Sequence, residues 1–354
     1  MSRWPVRPIQ DTDWDAAAEV WTLAHPHDPF SGPELRHQTE QQTTWGYRHT
    51  ALVAEAEGGA VVGLGLLSQN PGMYHPQRFG LELAVRPDWQ GQGVGAALWQ
   101  ELEETLRGWN ALSVRTLARE DHPLAPHFLT RRGFTPGKRY FTSALNLTDK
   151  SFDAAPFDEG PFLATETRLM ALGVRVRSLA ELREAGTPDL PRRLHALMSD
   201  VRQDVPRSEP ATPLTFEVFD EAVLNDSCLL PGAYLIAQAP GGEWIGQSTL
   251  FRSESSPDLL TGLTGVTRDW RGQGVATLLK LHILRVAQTL ATQALATQTP
   301  AAQALAAQTD GQVFLRTDNA SDNAPMLAIN DRFGFVRDPA SVSWVLEFGA
   351  DGQS

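Results

Sequence analysis

Apolar positions fall into short alternating runs and into longer runs spaced by three and four, and the two kinds interleave in the same order twice along the chain. In the first half the pattern predicts a strand over 5–9 and a helix over 13–24, with Asp11 or Thr12 as its cap. Strands over 50–55 and 60–67 flank Glu57-Gly58-Gly59, a sequence suited to a hairpin turn. A strand over 79–85, a helix over 94–106, a strand over 113–118, a short helix over 125–131 and a strand over 140–146 follow. The second half predicts a strand over 173–177, helices over 188–201 and 216–224, and strands over 234–239 and 244–251 around Pro240-Gly241-Gly242-Glu243. It continues with a strand over 259–266, a helix over 275–290, a strand over 313–317, a helix over 324–332 and a closing strand over 341–348. Segments 24–36 and 201–213 read as loops of mixed chemistry.

The repetition extends to individual residues. Leu83-Ala84-Val85-Arg86-Pro87-Asp88-Trp89 aligns with Thr264-Gly265-Val266-Thr267-Arg268-Asp269-Trp270, and the glycine-rich segments Gln90 to Ala96 and Arg271 to Ala276 follow. A repeat of this length is domain-sized, so the chain reads as two domains, 1–148 and 166–354. Residues 149–165, rich in Asp, Pro and Gly at the start, read as a linker. From glycine segment to the late Gly-Phe pair the copies span 44 positions (90 to 134) and 64 positions (271 to 335). The excess is an Ala/Thr/Gln-rich insertion near 290–309, which Pro300 would interrupt as a helix.

A length of 354 residues with 42% apolar content supplies two cores of ordinary size. No apolar run is long enough to span a membrane and no signal-like segment opens the chain, so a cytoplasmic protein with no membrane partner is expected. Three lysines against 27 arginines suggest a bacterial source with a GC-rich genome. The single cysteine, Cys228, excludes an internal disulfide and cysteine-based zinc sites. His25-Pro26-His27-Asp28 has no third ligand at sensible spacing and reads as a polar loop, so no metal is expected. A net charge of −12 disfavours a nucleic-acid partner and would attract a cationic one such as an amine.

The chemistry concentrates in the two glycine segments. A glycine-rich turn entering a helix points backbone N–H groups along the positive end of the helix dipole, which suits a pyrophosphate. Gly91, Gly93 and Ala96 also fit the spacing of a Rossmann dinucleotide fingerprint. That reading fails on context, because the fingerprint belongs to the first strand–helix turn of a parallel unit with an acidic residue about 20 positions on. Here the segment follows antiparallel hairpin signals deep in each half.

The pattern Gln/Arg-x-x-Gly-x-Gly/Ala, met by Gln90, Gly93, Gly95 and by Arg271, Gly274, Ala276, resembles the acyl-CoA loop of the GNAT superfamily of N-acetyltransferases. The stretch Thr317 to Met326, with Asn330 and Gly334-Phe335, is similar to the family's next strand, loop and helix. As a tandem pair the resemblance covers nearly the whole chain, as in mycothiol synthase and related two-domain enzymes. It implies an α/β (α+β) fold in each domain, a mixed, mostly antiparallel sheet flanked by helices. It also implies acetyl-CoA as acyl donor and a small-molecule or peptide amine as acceptor, with no oligomeric state specified. Cofactor contacts are expected from Val85, Gln90, Gly91, Gln92, Gly93, Val94, Gly95 and Ala96, and from Val266, Arg271, Gly272, Gln273, Gly274, Val275, Ala276 and Asn323. Glu82 stands where such enzymes often keep a catalytic glutamate, the base that would free the acceptor amine. Leu263 occupies that place in the second copy, leaving Asp204 or Glu217 as candidates there. The family's tyrosine acid is absent from both copies, with Leu129 and Asn330 at its position, and His122 stands at the spacing of Asn323. Arg131, Arg132 and Lys280 are candidate phosphate contacts. A non-catalytic acyl-CoA-binding regulator is the alternative reading.

Overall fold

A computed structural model describes residues 3–26, 28–148, 159–253, 256–296 and 312–349. His27, most of the expected linker and most of the low-complexity insertion therefore lie outside the described residues. The chain forms two compact units: Met1–Tyr140 with Ser208–Thr212 and Pro339–Ser354, and Phe141–Arg207 with Pro213–Asp338.

Unit 1 begins with β1 (Val6–Pro8), α1 (Trp14–Ala24) and α2 (Gly32–Thr44). The start of α2 falls in the expected loop 24–36, where few apolar residues leave the helical period hidden. Its start is nevertheless written in a capping box, in which Ser31 accepts from the Glu34 amide and Glu34 accepts from the Ser31 amide. There follow β2 (Thr50–Glu55), β3 (Val61–Ser68), β4 (Arg78–Val85), α3 (Val94–Gly108), β5 (Ser113–Arg119), α4 (Ala125–Thr130) and β6 (Thr135–Asn146). Two cores flank this sheet. One gathers Leu98, Leu102 and Leu106 of α3 with Leu81, Val114 and Phe134; the other packs Val20 and Trp21 of α1 against Val53, Leu64 and Ala84.

Unit 2 contains α5 (Gly160–Ala171), β7 (Arg175–Ser178), α6 (Leu179–Glu184), α7 (Leu190–Arg202) and α8 (Phe216–Phe219). Next come β8 (Leu235–Gln238), β9 (Trp244–Ser248), β10 (Leu250–Arg252), β11 (Leu259–Thr261) and β12 (Gly265–Val266). It ends with α9 (Val275–Ala296), β13 (Phe314–Ala320), α10 (Ala324–Arg332) and β14 (Val336–Arg337). The expected single strand over 259–266 is broken at Gly262–Thr264: β11 pairs with β10 and β13, whereas β12 pairs with β9 in a four-stranded sheet with β8 and β7. Residues 160–165 are helix, not linker. Phe162 stacks on Phe333 at 4.1 Å, and Arg285 of α9 binds both Glu159 and Glu166, holding both carboxyls below their usual range.

The last strand, β15 (Ser341–Glu347), belongs to unit 1, not to the second unit as expected. It pairs antiparallel with β5 along its whole length and with residues 135–140 of β6, and its Trp344 is buried in the core of α3. The second half of β6 serves unit 2 instead, where Ser143 and Ala144 pair with β14. Each unit thus takes one strand from the other half of the sequence, and no single cut separates the two.

Candidate active site

In unit 1 the site is built around the divergence of two parallel strands. The β4–β5 ladder runs only from Arg78 to Gly80 against Ser113 to Arg115, although β4 continues to Val85 and β5 to Arg119. On its other side β4 stays paired with β3 through Val85. One backbone edge of β4, from Leu81 to Val85, is therefore left without a strand partner, and an extended ligand chain could hydrogen-bond there as an added strand. In unit 2 the same divergence goes further, since β11 and β12 lie in different sheets.

Each gap opens toward a glycine turn, and the two turns repeat each other bond for bond. Gln90 donates from Nε2 to the Val85 carbonyl at 3.0 Å, and Arg271 donates from Nε to the Val266 carbonyl at 2.9 Å. Gln92 Nε2 reaches the Asp88 carbonyl at 2.8 Å, and Gln273 Nε2 the Asp269 carbonyl at 3.0 Å. Gly91 and Gly93 have φ of 72° and 97°, and Gly272 and Gly274 have 71° and 91°, a left-handed backbone open to glycine at little cost. The carbonyl behind each turn is held from below, that of Gln92 by Trp4 Nε1 at 2.9 Å and that of Gln273 by Arg168. Val94 and Val275 anchor the following helices in their cores, Gly95 leaves room for Phe128, and Ala96 and Ala276 remain at least partly accessible. Among the described residues the amides of 91–93 and of 272–274 donate to nothing. Three consecutive free N–H groups at a helix start form an anion-binding concavity.

Glu82 lies on β4 opposite Leu66, beyond the last residue paired with β5. The residue is exposed to solvent, yet protein atoms crowd around its carboxyl. Loss of hydration there, with Asp28 second, pushes its pKa up to about 7. Asp28 belongs to the segment between α1 and α2, whose His25 stacks on Trp21 at 4.2 Å. His122 turns Nδ1 toward the amides of Leu124 (3.2 Å) and Ala125 (3.0 Å), so its neutral form carries the proton on Nε2. Burial lowers the pKa of both imidazoles, and that of His25 is lowered further by the neighbouring His122. Neither Asp28 nor the capping role of His122 was legible from sequence spacing. Among the described residues no cluster of three or more His, Cys, Asp or Glu could hold a metal.

Among the described residues unit 2 arranges its candidate residues differently. Leu263 packs against the core of α7 and α8. Asp204 is no base: Arg268 holds it at 2.7 and 2.9 Å and Arg271 at 2.8 Å, which keeps its carboxyl far below the usual range. Glu217 is exposed in the first turn of α8. Asn323 caps α10 through its backbone, and its half-buried side chain makes no capping bond. At the missing tyrosine position Leu129 is buried in a core, and Asn330 is buried with Nδ2 on Asn319 at 2.7 Å. Asp318, beyond the last β11–β13 pair, was overlooked. Burial raises its pKa, against a hydrogen bond from Thr142 at 2.6 Å. Lys280 is not a phosphate contact but a core residue 5.4 Å from the Phe335 ring, its amine pushed down to about 7 by burial. Arg132 stacks on Phe128 at 3.5 Å, and Arg131 is exposed.

Residues 14–134 match the model of the acetyltransferase (GNAT) family. The match is confined to this segment, which is similar to a GNAT acetyltransferase domain. Comparison with curated proteins gave no match. Among solved structures, a GCN5-related N-acetyltransferase from Sphaerobacter thermophilus is similar over 98% of this chain and 96% of its own, at 18% identity and a TM-score of 0.66. A tandem GNAT protein from the clavulanic acid biosynthesis pathway is similar over 99% and 100%, at 18% identity and a TM-score of 0.64. A putative acetyltransferase from Pyrococcus horikoshii matches over 100% and 92%, at 12% identity and a TM-score of 0.55. The tandem GNAT fold thus extends over the whole chain, beyond the segment matched by the family model. Among the described residues no helix is long and apolar enough to cross a membrane.

Proposed function

We propose that the protein transfers an acetyl group from acetyl-CoA to an amine of a small molecule or peptide, with unit 1 as the site of turnover. The reading is carried by the coincidence, in unit 1, of free amides at 91–93, the unpaired edge of β4 and a carboxyl tuned to about 7 between them. The cofactor diphosphate would rest on the amides of Gly91 to Gly95, with Gln90, Gln92, Val94 and Ala96 shaping the turn. Its pantetheine arm would add along β4 as far as Val85, where a backbone N–H polarises the thioester carbonyl. Glu82 would take the proton from the acceptor ammonium, directly or through water, and the freed amine would attack the carbonyl carbon. The C–S bond then breaks, and the thiolate, a fair leaving group near neutral pH, takes up through water the second proton that the nitrogen loses as the amide forms.

In unit 2 the same backbone supports cofactor binding through Val266, Arg271, Gly272, Gln273, Gly274, Val275 and Ala276, with Asn323 on the pantetheine arm. Leu263 in the place of Glu82 favours a second reading for this unit alone: it binds acyl-CoA without turnover, and its occupancy regulates or stabilises the chain. Titration with acetyl-CoA tests both. At 100 times the dissociation constant, saturation should stabilise each binding unit by about 2.7 kcal/mol. Thiol release in the presence of an amine panel should then depend on Glu82. Absence of any thermal shift would overturn the cofactor assignment; a shift without turnover on any amine would leave only the binding role.

A further inference from the structure

Segment 201–213, which reads as a loop in the second half of the sequence, sends residues Ser208–Thr212 into unit 1. Ser208 Oγ lies 2.6 Å from Tyr140 Oη, and Thr212 donates from Oγ1 to the Pro71 carbonyl at 3.1 Å while accepting from the Tyr74 amide at 3.0 Å. Between these anchors Glu209 receives Arg115 Nη2 at 2.6 Å and also binds Arg78.

The position of these arginines is informative. Phe79 and Val114, opposite each other in the β4–β5 ladder, are buried in the α3 core, so Arg78, Gly80, Glu82 and Arg115 belong to the other face. Arg115 is the last β5 residue paired before the strands part, and its partner Gly80 has no side chain to cover it. Glu82 is two residues further along the same face, about 7 Å at the rise of a strand. One carboxylate does not saturate two guanidinium groups. Arg115 Nε and Nη1 are withdrawn from solvent and donate to no described group, a costly state for cationic donors unless an anion completes it.

We propose that Arg78 and Arg115 form the carboxylate-reading end of the unit 1 acceptor site, for which Glu209 is an internal stand-in. The acceptor is then an amino acid, or another amine with a carboxylate a few bonds from its nitrogen: the carboxylate displaces Glu209, and the amine comes to Glu82. This inference rests on the acetyltransferase reading of unit 1 but has a readout of its own.

The full chain is assayed for acetyl-CoA-dependent thiol release with the proteinogenic amino acids and the matching amino-acid carboxamides. Among accepted pairs the carboxylate should be favoured by roughly 10- to 100-fold in kcat/KM, the value of a charge-assisted hydrogen bond. Arg115→Gln should collapse that ratio toward one, Arg115→Lys should retain part of it, and Glu209→Gln should lower KM for amino acids severalfold. Thermal shifts of the wild-type chain with N-acetyl amino acids and with their amides report carboxylate binding without turnover. Turnover of amines with no carboxylate preference, or a preference unchanged in Arg115→Gln, would overturn the inference and leave the acetyltransferase reading intact. Arg115-dependent binding of N-acetyl amino acids without any turnover would support the inference while removing the enzymatic reading.

Discussion

Replacing Glu82 by glutamine keeps its size and removes its titration, which separates two consequences of the raised carboxyl. The first is stability. Moving the midpoint from 4.5 to about 7 corresponds to about 3.4 kcal/mol at 1.36 kcal/mol per pH unit. The carboxyl faces solvent on one side, so screening reduces this to about 1–2 kcal/mol. The sign follows from linkage: a group with a raised folded-state pKa contributes stability that is full below 4.5 and is lost as pH rises through about 7. Wild type should therefore lose about 1–2 kcal/mol relative to Glu82→Gln between pH 4.5 and 8. Urea unfolding followed by tryptophan fluorescence suits the comparison, since eight of the ten tryptophans lie in unit 1. The second consequence is kinetic. If Glu82 is the base, wild-type kcat/KM should rise with pH through an apparent pKa near 7, and Glu82→Gln should lose about 10²- to 10⁴-fold together with that dependence. Equal pH responses of stability would refute the desolvation argument; a variant with wild-type kcat/KM and an unchanged pH profile would refute the role as base.

Two further substitutions probe the frame around the sites. Gly274→Ala places a Cβ 2.5 Å from Thr165 Cγ2 at a φ of 91°, so it should destabilise unit 2 by about 1–3 kcal/mol and weaken acetyl-CoA there, measured by calorimetric titration against wild type. Phe162→Ala removes a fully packed ring from the stack on Phe333 and should cost about 3–5 kcal/mol in denaturant unfolding of unit 2, whereas a linker residue at that position would cost almost nothing.

What the sequence disclosed follows from what local signals encode. The glycine turns were readable because their function resides in backbone torsions that only certain residues permit, and Gly91, Gly93, Gly272 and Gly274 all adopt them. Glu82 could be nominated from its place before the turn, but its tuned carboxyl depends first on loss of hydration in the fold and then on Asp28, some fifty residues away in sequence, and no period announces either. Asp204 looked like an available carboxylate until Arg268 and Arg271 came to it across the fold. Helix α5 was missed because Asp, Pro and Gly dominate the approach to it, while its own apolar positions Phe162 and Leu169 are widely spaced. Strand β15 was read correctly as a strand and assigned to the wrong unit, since alternation specifies a strand but not its partner.

That strand also bears on why both copies persist. The turns have kept the same torsions and the same carbonyl-capping bonds, yet the residues that could move a proton differ, with Glu82 facing Leu263 in the alignment. The second half of the sequence is tied to the first by structure, because it supplies β15 and Trp344 to the core of unit 1, and segment 208–212 to the face of β4 that carries Glu82. Residues 141–146 return a strand to unit 2. Under the proposed reading, selection on turnover in unit 1 would therefore act on the folding of both halves, and the second turn would be retained for structure, for cofactor binding, or for both.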